Sequence, residues 1–183
     1  MPNDTNNLIR LIDAICVAWD NPAYYPEFEN GVLKTTWCNY FVCEVAKGTG
    51  CEDFFDPTTH QPMMADDIIR VMSASDMWQE IRVAGLDPGQ MAIALKSVQV
   101  WANQGYLTIA GASSASLGTA HAHVAIIRPG IMKDSGKWGK TPCAANVGKE
   151  NFVGRAKSGP LKGEPCGLNQ AFVQMPRFWA YKG

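Results

Sequence analysis

The spacing of apolar residues changes near residue 105 of this 183-residue chain, and this change constrains the fold more than any other feature. Before it, apolar residues recur three or four positions apart, the period of one face of an α-helix. After it, short apolar or alternating runs are separated by clusters of Gly, Pro and Ser, which is typical of strands and turns. The pattern predicts an α+β domain in which N-terminal helices pack on a central antiparallel sheet.

The chain has the length of one ordinary domain, and it contains no internal repeat and no linker-like segment. We therefore predict a single domain over residues 1–183. The predicted helices cover residues 5–19, with Thr5 or Asn6 as N-cap, a stretch from Thr35 or Thr36 to Gly48, residues 62–75, and residues 88–103. The predicted strands cover residues 106–110, 123–127, 144–147 and 171–181, and residues 21–31 are predicted to form a loop.

The charge balance excludes one class of partner. The chain has sixteen Lys and Arg residues and seventeen Asp and Glu residues, so its net charge is -1, and no segment forms a basic stripe. A protein held to nucleic acid by phosphate contacts needs such a stripe. We therefore predict that the chain does not bind nucleic acid.

The N-terminus lacks the basic segment, apolar run and small-residue cleavage site of a secretory signal peptide. No run of residues is long and apolar enough for a membrane span. These observations predict synthesis in the cytoplasm and no membrane insertion. The six cysteines leave the redox compartment open, because Cys43 could pair with Cys51, or Cys143 with Cys166, after export.

Cys38 is the first candidate for chemistry. It follows the pair Thr35-Thr36 and Trp37, so it falls in the first turn of the second predicted helix. The positive end of the helix dipole favours a thiolate there. A buried cysteine on an apolar helical face can equally be a small core residue. A nucleophilic role requires a base nearby.

His123 is the candidate base. It begins the run His-Val-Ala-Ile-Ile, which anchors a predicted strand in the core, and His121 precedes it by two positions. The third candidate is Asn146, whose amide would orient the imidazole, as an Asn or Asp does in thiol enzymes. Its rival is Cys143 on the same predicted strand. A zinc site of His121, His123, Cys143 and an acid, with His60 as a further ligand, is an alternative.

Taken together, these segments resemble the NlpC-type papain-like cysteine peptidases of peptidoglycan. The resemblance covers roughly residues 33–150. It rests on the sequence Trp-Cys-Asn-Tyr-Phe-Val from Trp37, the strand Gly-Tyr-Leu-Thr-Ile-Ala from Gly105, the strand that begins at His123, and the polar strand position that follows. Within that group the chain is most similar to the amidase effectors delivered by bacterial type VI secretion. It differs at Trp37 and Asn39, where many members of the family have Asp and Ser, and at Ala122, where the family usually has Gly.

The resemblance implies a papain-like fold and a thiol hydrolase that needs no cofactor and no metal. Cys38 would be the nucleophile, His123 the base and Asn146 the orienting residue. The substrate would be the peptidoglycan stem peptide, cut between D-glutamate and diaminopimelate, in the periplasm or cell wall. An antibacterial effector of this kind reaches the wall by a route other than the general secretory pathway, and a cognate immunity protein is its expected partner.

The sequence is also compatible with three other functions. A phage endolysin or a CHAP-type amidase combines the same residue types. An enzyme acting on a different amide, such as a deamidase or a transglutaminase-like acyl transferase, would also use a cysteine and a histidine. A non-catalytic binding or toxin module could keep the fold with the three residues as structural ones.

Overall fold

The computed structural model describes residues 2–19, 27–30, 32–147 and 166–183. The helices in these ranges are α1 (Thr5–Ala18), α2 (Cys38–Gly48), α3 (Ala65–Ala74), α4 (Pro88–Asn103), α5 (Ser114–Leu117) and α6 (Leu168–Ala171). The strands are β1 (Glu27–Glu29), β2 (Val32–Thr35), β3 (Trp78–Ile81), β4 (Thr108–Ala112), β5 (His123–Ile127), β6 (Lys133–Ser135), β7 (Gly139–Thr141), β8 (Cys143–Ala145), β9 (Cys166–Gly167) and β10 (Arg177–Tyr181).

Six of these strands form one sheet, in the order β3-β10-β4-β5-β8-β9. Every neighbouring pair in this sheet is antiparallel. The α+β class and the antiparallel sheet predicted from the sequence are therefore confirmed. Strand β5 lies in the interior of the sheet, between β4 and β8.

The sheet separates two apolar cores. Val124 and Ile126 of β5 belong to the core that also contains the buried faces of α1, α2 and α3. Ala125 and Ile127 belong to the second core, which contains the buried face of α4. Successive side chains of a strand point to opposite faces, so β5 contributes to both cores. Helices thus cover both faces of the sheet, and α4 is the longest of the described helices on the second face.

Helix α2 is held in place by a buried face and by α1. Phe41, Val42 and Val45 of α2 are fully buried. The indole Nε1 of Trp19, which follows α1, donates a hydrogen bond of 2.8 Å to a carboxylate oxygen of Glu44. Since α2 also packs on β5, the start of α2 is fixed relative to the strand that carries His123.

The helix predictions are confirmed with small shifts at their starts. The first helix is capped by Asp4, whose side chain accepts from the backbone N–H of Asn7, and not by Thr5 or Asn6. Helix α2 begins at Cys38, and α3 begins three residues later than predicted. Helix α4 has the predicted bounds, because Asp87 caps it and Pro88 suits its first position.

The strands predicted at 106–110 and 144–147 are found at Thr108–Ala112 and Cys143–Ala145. Two other segments differ in kind from their predictions. Glu27–Glu29 is a strand paired with Val32–Thr35, not a loop, while positions 21–26 and 31 of the predicted loop lie outside the described residues. Residues 171–181 form a strand only from Arg177, because Leu168–Ala171 is a helical turn. The sequence pattern also missed β3, whose four residues pair with β10 at the edge of the sheet.

Cys43, Cys51 and Cys143 are buried free thiols. Neither pairing considered from the sequence, Cys43 with Cys51 or Cys143 with Cys166, is therefore present. None of the helices in the described ranges combines the length and the apolar character that crossing a bilayer requires.

Candidate active site

Cys38 is the first residue of α2, and its side chain is 2% exposed. The residue before it, Trp37, is the N-cap and makes no capping hydrogen bond through its side chain. The hydroxyl of Thr36 lies 3.6 Å from Cys38 Sγ and donates a hydrogen bond to it. The thiol therefore lies at the positive end of the α2 dipole, as the sequence predicted.

His123 is the first residue of β5, where it pairs with Ala112 of β4. Its imidazole is half-buried and packs against the ring of Phe172, with centroids 5.0 Å apart. The strand that follows is fully buried, so the backbone of His123 is anchored by the core.

Asn146 directly follows β8, which runs antiparallel to β5 with Ala145 opposite Ile126. The side chain of Asn146 is 2% exposed, and its Oδ1 lies 2.6 Å from Nε2 of His123. Because an amide oxygen can only accept, Nε2 is the protonated nitrogen of this contact. The other ring nitrogen, Nδ1, is then left to interact with the Cys38 thiol.

Cys143, the alternative orienting residue, lies elsewhere. Its backbone N–H donates a 2.7 Å hydrogen bond to Gln99 Oε1 on α4. Burial raises the pKa of its thiol to about 11, although the charge of Arg128 lowers it in part. Of the two candidates, it is Asn146 that the fold brings to His123.

Burial and charge act against each other on Cys38 and His123. Burial disfavours the thiolate, but the charge of His123, the hydrogen bond with His123, the backbone of Val124 and the hydroxyl of Thr36 lower the pKa of Cys38 below its ordinary value. Burial likewise disfavours the imidazolium, while the Cys38 charge and hydrogen bonds with Cys38 and Asn146 raise the pKa of His123. The arrangement favours a thiolate–imidazolium pair.

Cys38 opens onto a cleft of about 290 Å³. The cleft is lined by Thr36, Cys38, Asn39, Met64, Ala65, Asp66, Ala120, His121 and Ala122. Two hydrogen bonds hold its walls: Asn39 Nδ2 donates to the carbonyl of Met63 at 2.9 Å, and the backbone N–H of Ser114 donates to Asp66 at 3.1 Å. The first bond fixes the start of α3 beside the start of α2, and the second joins α3 to the start of α5.

The sequence interpretation missed Thr36 and the residues contributed by α3. The two threonines before Cys38 predict a helix start, but a hydroxyl two residues before a thiol also indicates a candidate donor to the sulfur. No local pattern marks Met64 or Asp66 as cleft residues. Their position depends on how α3 packs beside α2.

The remaining candidates do not form a metal centre. His121 lies in the cleft wall and is exposed, whereas His60 lies in the turn closed by Asp56 and Gln61. Among the residues that the structure describes, no three His, Cys, Asp or Glu side chains are placed to hold a metal ion. The zinc site considered from the sequence is therefore not formed by these residues.

Comparison with known proteins does not assign the chain to a family. No family model matches it, and no curated protein matches it.

Proposed function

We propose that this protein is a cysteine hydrolase that cleaves an amide bond in the stem peptide of peptidoglycan. The observation that carries the proposal is the alignment of three side chains, of which Cys38 lines the cleft. Cys38 begins a helix, the charges of Cys38 and His123 stabilise each other, and Asn146 accepts from the distal nitrogen of His123 at 2.6 Å. A nucleophile, a base and an orienting group in this order are what acyl transfer by a thiol requires.

In the first step, the Cys38 thiolate attacks the carbonyl carbon of the scissile amide, and a C–S bond forms. The electron pair of the carbonyl moves onto its oxygen. The backbone N–H groups at the start of an α-helix have no partner within the helix, so those of α2 can stabilise this oxyanion. The C–N bond then breaks as the His123 imidazolium protonates the leaving amine, which leaves a thioester on Cys38.

In the second step, neutral His123 accepts a proton from water as the water oxygen attacks the thioester. The C–S bond breaks, the carboxylic acid is released, and the proton on His123 restores the ion pair with the Cys38 thiolate. Throughout both steps Asn146 holds the ring with Nδ1 toward the sulfur. A ring rotated by half a turn would present a different nitrogen to the thiol.

The choice of substrate rests on the resemblance of residues 33–150 to NlpC-type peptidases and type VI amidase effectors. The cleft is compatible with a short peptide, because one carboxylate, Asp66, and one imidazole, His121, lie among otherwise uncharged lining residues. In this proposal the bond cleaved joins D-glutamate to diaminopimelate. The enzyme acts in the periplasm or cell wall of a competitor as an antibacterial effector, and its producer is protected by an immunity protein.

Purified sacculi provide the test. The parent protein should release fragments whose masses, after digestion with a muramidase, identify the amide that was cut. Cys38→Ala and His123→Ala should each lower the rate by roughly 1000-fold or more. His121→Ala tests the alternative base: it removes an imidazole from the cleft without touching the Asn146 contact, so it should change KM and leave kcat nearly unchanged.

Three results would each overturn one part of the proposal. Comparable turnover by Cys38→Ala and the parent protein would exclude the thiol as nucleophile. If His121→Ala is inactive and His123→Ala is active, the base is His121 and not His123. Intact sacculi under conditions where Cys38 reacts rapidly with iodoacetamide would keep a thiol enzyme but reject this substrate.

A further inference from the structure

Thr36 lies between β2 and α2, two residues before the thiol. Its side chain is half-buried and lines the same cleft as Cys38. The 3.6 Å between its Oγ1 and Cys38 Sγ exceeds an O–H···O hydrogen bond because sulfur is larger than oxygen. The hydroxyl is therefore in direct contact with the atom that reacts.

Thr36 is not the N-cap residue of α2. The N-cap of α2 is Trp37, and the helix begins without a side-chain capping bond from that residue. Serine and threonine at helix starts commonly stabilise the helix by such a bond. The hydroxyl of Thr36 instead donates to Cys38 Sγ.

A buried thiolate is stabilised by hydrogen-bond donors as well as by a nearby positive charge. The imidazolium of His123 supplies the charge, but it must give its proton to the leaving amine during each turnover. A hydroxyl keeps its proton throughout, so it can stabilise and orient the sulfur before attack and again when the thioester is hydrolysed.

We propose that Thr36 is a fourth member of the catalytic centre, which holds the Cys38 thiolate at the cleft by donating a hydrogen bond to Sγ. The proposal rests on Cys38 being the nucleophile, as proposed above, and it does not depend on which amide is cleaved. No proton is transferred between Thr36 and Cys38, so no bond is made or broken at this residue.

The test measures alkylation of Cys38 by iodoacetamide as a function of pH, followed by peptide mass spectrometry. Thr36→Val has the shape of threonine without the hydroxyl, and we expect it to raise the midpoint of the rate profile by roughly one pH unit. Thr36→Ser restores the hydroxyl and should restore the midpoint. Thr49→Val, which removes a hydroxyl that donates to Ala46 at the other end of α2, should leave the midpoint unchanged.

An unchanged midpoint in Thr36→Val, or a Thr36→Ser profile shifted as far as that of Thr36→Val, would overturn the proposal. Circular dichroism of each variant verifies the fold, and Thr36→Ala replaces Thr36→Val if the latter does not fold. The measurement needs no substrate, so it separates the two proposals. A shifted midpoint with intact sacculi would reject only the substrate, whereas cleaved sacculi with an unshifted midpoint would reject only Thr36.

Discussion

Burial alone would disfavour the charged forms of both Cys38 and His123. A buried thiol keeps its proton and a buried imidazole loses one, because both charged forms are poorly solvated away from water. The structure reverses both tendencies by placing the two groups together and by adding Asn146 and Thr36. The chemistry of the site therefore resides in the pair, and loss of either partner should change the titration of the other.

The pH dependence of hydrolysis follows from this pair. As pH rises through the lowered pKa of Cys38, the thiolate forms and activity should appear. As pH rises further through the raised pKa of His123, the imidazolium that protonates the leaving amine is lost and activity should fall. We expect a bell-shaped profile of kcat/KM with its maximum between the two pKa values. A rate that rises steadily into the range of a free thiol would contradict the ion pair.

The Asn146 contact predicts a graded effect. Asn146→Ala should lower kcat by roughly 10- to 1000-fold without abolishing it, because an orienting group holds the base and takes no part in bond making. Cys143→Ala serves as the control, since Cys143 lies beside Gln99 and not at His123. Steady-state kinetics on sacculi measure the activity of both variants. If Asn146→Ala keeps the full rate and Cys143→Ala loses it, Cys143 is the residue that orients the imidazole.

The sequence was sufficient to propose Cys38 and His123, because a helix start signal and a buried strand are local patterns. It could not decide between Asn146 and Cys143. That choice depends on how β8 is paired with β5, which brings together residues more than twenty positions apart. Asp66 was missed for a related reason, since it becomes part of a site only when α2 and α3 pack side by side. Thr36 is different, because its hydroxyl lies two residues from the thiol and is a local clue.

Two helices far apart in the chain are joined at Gly105. The backbone N–H of Asn3, before α1, donates to the carbonyl of Gly105 at 2.9 Å, and the hydroxyl of Thr5 donates to Asn103 at the end of α4. Gly105 has a φ of +85°, and a Cβ at this position would lie 1.8 Å from the carbonyl oxygen of Asn3. The contact requires glycine for both its conformation and its size.

This close approach predicts that replacing Gly105 by alanine destabilises the fold more than the same change at Gly85. Gly105→Ala should lower the free energy of unfolding by about 3 kcal/mol or more, because the chain must adopt a strained φ and also displace Asn3. Gly85→Ala is the control, since Gly85 has a similar φ of +80° but open space around it, and it should lose only about 1–2 kcal/mol. Urea denaturation measures both, and equal losses would show that the contact with Asn3 contributes nothing.

Helix α4 was predicted with its observed bounds because Asp87, Pro88 and Gly105 mark both ends by local chemistry. Strand β3 was missed because its four residues form a strand only by pairing with β10, about a hundred positions later. Elements defined by their own ends can be predicted from the sequence, whereas short edge strands depend on a distant partner.

For the molecule as a whole, the proposed function predicts that the effect of the protein depends on where it acts. Peptidoglycan lies outside the cytoplasmic membrane, so the chain expressed in the cytoplasm of a Gram-negative host should permit growth. The same chain fused to a secretory signal should cause lysis, and the fused Cys38→Ala variant should not. Culture turbidity and release of a cytoplasmic enzyme measure the outcome. Equal toxicity of both active forms would indicate a target inside the cell.

The interior position of β5 has a consequence for how such an enzyme can diversify. Strand β5, which begins with His123, is hydrogen-bonded on both sides and buried on both faces, so its amide protons should exchange with deuterium among the slowest of the described residues. The neighbouring wall of the cleft, at residues 120 and 121, is exposed and precedes the strand. Under the proposed function, substitutions there would change which peptide fits while the imidazole stays in place, so specificity could evolve independently of the residues that carry out the reaction.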